Sequence, residues 1–98
     1  MPKIESDFQS DLIDELKEMF PGCIVVKNDP NYIQGIPDLT VFYKDRWATL
    51  ECKKEEDAER QPNQDYYVGV MNAMSYSSFI YPENKEEVLH ELQQAFKS

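Results

Sequence analysis

Several common features are scarce or missing from this chain. No stretch approaches the ~18 consecutive apolar residues of a membrane span. The opening run, Met-Pro-Lys-Ile-Glu-Ser-Asp, has no apolar core after its one basic residue, so no secretory signal is expected. The expected location is the cytoplasm, with no membrane partner. Cys23 and Cys52 are too few for a disulfide scaffold or a zinc site and read as free, buried thiols. The one histidine, His90, falls on a helix near the C-terminus and reads as solvated surface. No repeat, low-complexity segment or Gly/Ser linker divides the 98 residues, so one domain spanning 1–98 is expected.

Basic residues are also in short supply. Ten Lys and Arg stand against 19 Asp and Glu, a net charge of −9, which argues against a general nucleic-acid coat protein. The distribution is uneven, however. Lys44, Arg46, Lys53, Lys54 and Arg60, half of the basic residues, fall within one short stretch. A divalent cation can also neutralise an acidic site, so nucleic acid remains open as a partner. The composition, 41% apolar and 30% charged, is that of a globular domain rather than a disordered tail.

Periodicity gives the element order. Phe8, Leu12, Leu16 and Met19/Phe20 lie at helical spacing, which predicts a helix over about 6–20, ended by Pro21-Gly22. Cys23 to Val26 is a continuous apolar run, read as a buried strand. Asn28-Asp29-Pro30-Asn31 and Gly35-Ile36-Pro37 bound a loop. Leu39, Val41 and Tyr43, then Ala48, Leu50 and Cys52, alternate as the two arms of a hairpin. Pro62 is placed at the start of a helix to about Met74, with Tyr67, Val70, Met71 and Met74 facing the sheet and Tyr66 and Ala73 left over. Ser78 to Tyr81 is the last strand. Glu86 to Phe96 is the last helix, with Val88, Leu89, Leu92 and Phe96 inward. The order α-β-β-β-α-β-α predicts an α/β fold, a mixed sheet flanked by helices.

The hairpin carries the candidate chemistry. If Lys44-Asp45 is the turn, Tyr43 faces Arg46, Leu39 faces Leu50, and Asp38 faces Glu51. Directly opposed residues have Cβ atoms ~5 Å apart, and opposed like charges destabilise a sheet. Lys53 lies two residues beyond Glu51 on the same face. A hard divalent cation would relieve the repulsion, and Mg²⁺ binds through one or two carboxylates while keeping several waters. The plainer alternative is that Asp38 caps a loop, Glu51 is solvated, and Lys53 pairs with one of them.

Gly35-Ile36-Pro37-Asp38 followed one strand later by Glu51-Cys52-Lys53 resembles the PD-(D/E)xK nuclease signature. Arg60-Gln61-Pro62-Asn63-Gln64-Asp65-Tyr66-Tyr67 is similar to the Gln-bearing helix of the VRR-NUC group and related phage nucleases, and small Holliday junction resolvases share the layout. The resemblance implies a restriction-endonuclease-like core and a metal-dependent DNA endonuclease, acting in the host cytoplasm if the chain is of phage origin. It implies Asp38 and Glu51 as ligands of Mg²⁺ or Mn²⁺, with the backbone carbonyl of Cys52 as a third. Lys53 would be the catalytic lysine, and Gln64 would orient water or phosphate. Glu5, with Asp7 as the alternative, would be the N-terminal acidic residue. No organic cofactor is implied. The DNA would be duplex or branched and would approach away from Glu55-Glu56-Asp57-Glu59, which reads as a solvated face. The competing readings are a catalytically silent nuclease fold that binds DNA or protein, and an acidic mimic of phosphate. The surplus apolar surface of the 62–74 helix predicts a homodimer, and the likeness to junction resolvases points the same way.

Overall fold

The computed structural model describes residues 5–97, the side chain of Glu5 excepted. In chain order the elements are α1 (Glu5–Met19), β1 (Ile24–Lys27), β2 (Leu39–Tyr43), β3 (Arg46–Cys52), α2 (Gln64–Met74), β4 (Tyr76–Ile80) and α3 (Lys85–Lys97). The strands form one sheet in the order β1-β2-β3-β4. The first three are antiparallel, and β4 runs parallel to β3 after the α2 crossover. A parallel pair needs such a crossover because its strand ends lie at opposite ends of the sheet. This is the α/β architecture with a mixed sheet that the sequence pattern predicts.

Alternation along the strands sorts residues between two faces. Leu39, Val41, Ala48, Leu50, Cys52 and Ile80 line one face and are fully sealed from solvent. Phe8, Leu12, Leu16 and Phe20 of the α1 region and Val88, Leu89, Leu92 and Phe96 of α3 close over that face to make the core. The inward residues of both helices are those expected from spacing. The hairpin register is also as expected, with Leu39 opposite Leu50, Val41 opposite Ala48 and Tyr43 opposite Arg46. The alternation specifies it, because a one-residue slip would turn every leucine to the other face.

The other face is covered by α2, and only in part. The Thr49 hydroxyl of β3 lies 2.7 Å from the Ser77 hydroxyl of β4 and 3.4 Å from the Met71 sulfur of α2, within hydrogen-bond reach of both. The β1–β2 half of this face carries no helix. Here the structure corrects three expectations. β1 is not buried: it is an edge strand, with Ile24 62% and Val26 40% exposed. A continuous apolar run does not distinguish a central strand from an edge whose second face is open. In α2 no residue is buried, and Met74 is exposed rather than facing the sheet. Pro62 also lies outside the helix, since Asn63 turns left-handed at φ 71 and the first helical residue is Gln64. Among the described residues, no helix is long and apolar enough to cross a membrane.

Candidate active site

β3 ends at Cys52, and the residues around its end converge. Asp38 and Glu51 form the next pair beyond Leu39 and Leu50, but their backbones do not continue the ladder with each other. The Asp38 amide donates to Glu51 Oε1 at 3.1 Å, and the Cys52 amide donates to Asp38 Oδ2 at 3.0 Å. Side chains thus take the place of backbone rungs, and each carboxylate is fixed by the opposite strand.

Glu51 is buried, with only 2% of its surface exposed. Its Oε2 accepts from Gln64 Nε2 at 2.9 Å. Gln64 is held in turn, its Oε1 accepting the Gln61 amide at 2.8 Å. The N-terminal end of α2, the positive end of its dipole, therefore meets the carboxylates. Lys53 extends the strand by one bond, its amide donating to Ile80 O at 2.8 Å. Its ammonium stands 3.9 Å from Glu51 Oε2 and donates to the Glu59 carbonyl at 3.1 Å.

Burial is the main influence on Asp38 and pushes its carboxyl above the ordinary value. The Cys52 amide, the Lys53 charge and a hydrogen bond with the Glu51 carboxyl pull the other way. Two carboxyls this close resist double ionisation. Both line an open cleft of about 430 Å³, together with Lys53, Lys54, Glu59 and Gln64. Two carboxylates, a neighbouring cation and solvent access suit a hard divalent ion that keeps part of its water shell, so the residues present fit Mg²⁺ or Mn²⁺. Among the described residues no group of three or more His, Cys, Asp or Glu side chains is gathered for a metal, so further donors would come from backbone and water.

The structure thus brings together Asp38, Glu51, Lys53 and Gln64. Gln64 lines the cleft itself and gives one of its two amide protons to Glu51. The Cys52 thiol is buried on the core side, and only its backbone adjoins the carboxylates. Asp7 is exposed on α1 and does not line the cleft. The Glu5 side chain lies outside the described residues. The basic stretch does not form one strip: Lys44 and Arg46 sit at the hairpin turn, a β3 length from Glu51, or roughly 17 Å at strand rise. Arg60 stacks on the Phe79 ring at 3.9 Å and pairs with Asp65.

Sequence reasoning read two residues only as loop or signature positions. Gly35 is buried with φ +87, and a Cβ there would stand 2.6 Å from Asn63 Cβ and 2.7 Å from the Pro62 carbonyl. The loop before Asp38 and the turn before Gln64 therefore touch through a glycine. Asn28 is the second, and its side chain bonds to residues on both sides of Asp38. No family model matches the chain, and no curated protein or solved structure matches it either.

Proposed function

We propose that this chain is a divalent-metal-dependent DNA endonuclease with a restriction-endonuclease-like core of the PD-(D/E)xK kind, acting on branched DNA. The carrying observation is the meeting of Asp38, Glu51 and Lys53 at an open cleft, in the register that the sequence resemblance requires. Asp38 and Glu51 would hold the ion, with the Cys52 carbonyl as a further donor. When bound, Mg²⁺ or Mn²⁺ supplies Lewis acidity toward a phosphodiester and lowers the pKa of an attacking water. Gln64 keeps Glu51 in place. The Lys53 ammonium supplies a fixed positive charge for the growing charge on phosphate, the form of stabilisation that dominates phosphoryl chemistry. The deciding experiment incubates purified protein with labelled four-way junction, flap, nicked and plain duplex DNA in Mg²⁺, Mn²⁺ or EDTA. Cleavage in metal, strongest on the junction and absent in EDTA, is expected. Binding without cleavage in either metal would leave the silent binding module instead.

A homodimer belongs to the same proposal. Asn72 accepts the Ser77 amide, and Asp65 pairs with the Arg60 that stacks on Phe79, so that flank of α2 turns toward β4. Helical spacing then puts Tyr66, Val70 and Met74 on the flank toward β2. Beside them the open half of the sheet exposes Ile24, Val26 and Phe42. A ridge next to an uncovered floor is self-complementary under a two-fold axis, the ridge of each copy filling the floor of the other. Light scattering at micromolar concentration should give twice the 11.5 kDa of one chain. Tyr66→Asp should return it to one.

A further inference from the structure

Asp38 occupies an awkward place for a residue that must hold a carboxylate still. It precedes β2, follows the loop from Asn28 to Pro37, and has no strand partner for its own amide. Three of the backbone groups in this stretch are nonetheless engaged. The Asp38 amide goes to Glu51. The Asp38 carbonyl accepts the Asn28 amide at 2.8 Å. The Pro37 carbonyl accepts Asn28 Nδ2 at 2.9 Å. The second proton of the same carboxamide goes to Thr40 Oγ1 at 2.8 Å. One side chain thus staples residues 37 and 40, and its own backbone holds the residue between them that matters most.

The chemistry requires asparagine. Two N–H donors must diverge from one nitrogen toward a carbonyl and a hydroxyl, and a carboxylate of equal size offers neither. Asp at 28 would also set a negative charge beside Asp38. Leucine or alanine would leave the Pro37 carbonyl without its partner.

We propose that Asn28 is the positioning residue that holds Asp38 in place for the divalent ion. This assignment rests on the metal-dependent reading of the site. Asn28 does not touch the ion or the substrate. It fixes the backbone from which the ligand projects, as the hydrogen-bond partners of metal ligands commonly do, at a cost of about 10–100-fold in affinity when removed.

Mn²⁺ binding, followed by titration calorimetry on the intact chain, tests it. Asn28→Ala should weaken Mn²⁺ binding at least tenfold, and Asn28→Asp at least as much. Cleavage by Asn28→Ala should fall at limiting Mn²⁺ and recover toward the wild-type kcat at saturating Mn²⁺, with KM for DNA unchanged. A merely structural role would lower the melting midpoint in EDTA and leave the Mn²⁺ affinity of the still-folded variant unchanged. Thr40→Val removes one acceptor, leaves the backbone contacts, and should weaken Mn²⁺ binding about threefold, as the loss of one neutral hydrogen bond implies, which keeps the test open if the Asn28 variants do not fold. Mn²⁺ affinity in folded Asn28→Ala within twofold of wild type would overturn the assignment and leave the nuclease reading standing. No Mn²⁺ binding by the wild-type chain would overturn both.

Discussion

On the face of the sheet covered by α1 and α3, Leu39, Val41, Ala48, Leu50, Cys52 and Ile80 are apolar and sealed, with Tyr43, Tyr76 and Ser78 half-buried beside them. On the face covered by α2, the sealed residues are Thr49, Glu51 and Ser77, with Lys53 just beyond the strand, and the covering helix buries nothing completely. The same strand, β3, supplies both. Leu50 and Glu51 are neighbours in sequence and equally hidden, yet one is surrounded by hydrocarbon and the other by hydrogen-bond donors. Stability is thereby concentrated on one face, and polar chemistry on the other.

The sharpest way to break this comparison is to truncate each of the two neighbours' faces in turn. Leu50→Ala should cost about 2–5 kcal/mol, because it removes fully buried methyl groups and leaves a cavity. In a chain this short that lowers the melting midpoint by roughly 10–40 °C, and thermal unfolding followed by circular dichroism reads it. Lys53→Ala, two positions past Glu51 on the polar face, should leave the midpoint within a few degrees and reduce cleavage on the order of a hundredfold. Equal loss of stability in the two variants would erase the division between the faces.

Asp38 sharpens it further. Its carboxyl is raised above the ordinary 3.8 by burial. Between the two values the folded protein therefore holds a proton that the unfolded chain releases, and the sign follows from linkage. In EDTA, stability should be greatest below about pH 4 for this group, and it should decline as pH rises through the raised value. Asp38→Asn should flatten that decline in pH-resolved denaturant titrations. Wild type should regain stability in Mn²⁺, by about 2.7 kcal/mol at a hundredfold excess over Kd, and Asp38→Asn should not. The smallest expected change is at Gly35. Gly35→Ala adds a Cβ at 2.6 Å from Asn63 and forces an L-residue to φ +87. A cost of about 1–2 kcal/mol is expected, together with weaker metal binding as the turn before Gln64 is pushed from the loop before Asp38. An unshifted Mn²⁺ affinity would separate that contact from the site.

Much of this was legible in the amino-acid order. Two-residue turns and strict alternation leave a hairpin one sensible register, so the Asp38–Glu51 pairing could be read from Leu39, Val41, Ala48 and Leu50. Inward faces of α1 and α3 followed from spacing alone. Position within the sheet was not legible. Ile24-Val25-Val26 looks the same whether central or at an edge, and only the missing helix above it decides. Nor could the run Glu55 to Glu59 announce that it folds back to put a carbonyl on Lys53, because backbone acceptors leave no trace in composition. Gly35 was noticed as part of a signature. Its physical reason, contact with Pro62 and Asn63, spans almost thirty residues and leaves no local pattern in the sequence.

The two carboxylates that close the β2–β3 ladder have one more consequence. Because the Asp38 and Cys52 amides donate to side chains rather than to strand carbonyls, their protection from solvent deuterium is tied to the state of those carboxylates. Any proton, ion or phosphate that redirects an oxygen changes the opening rate of a specific backbone N–H. Two peaks in an amide exchange spectrum thus act as a native gauge of site occupancy, with no label and no turnover required.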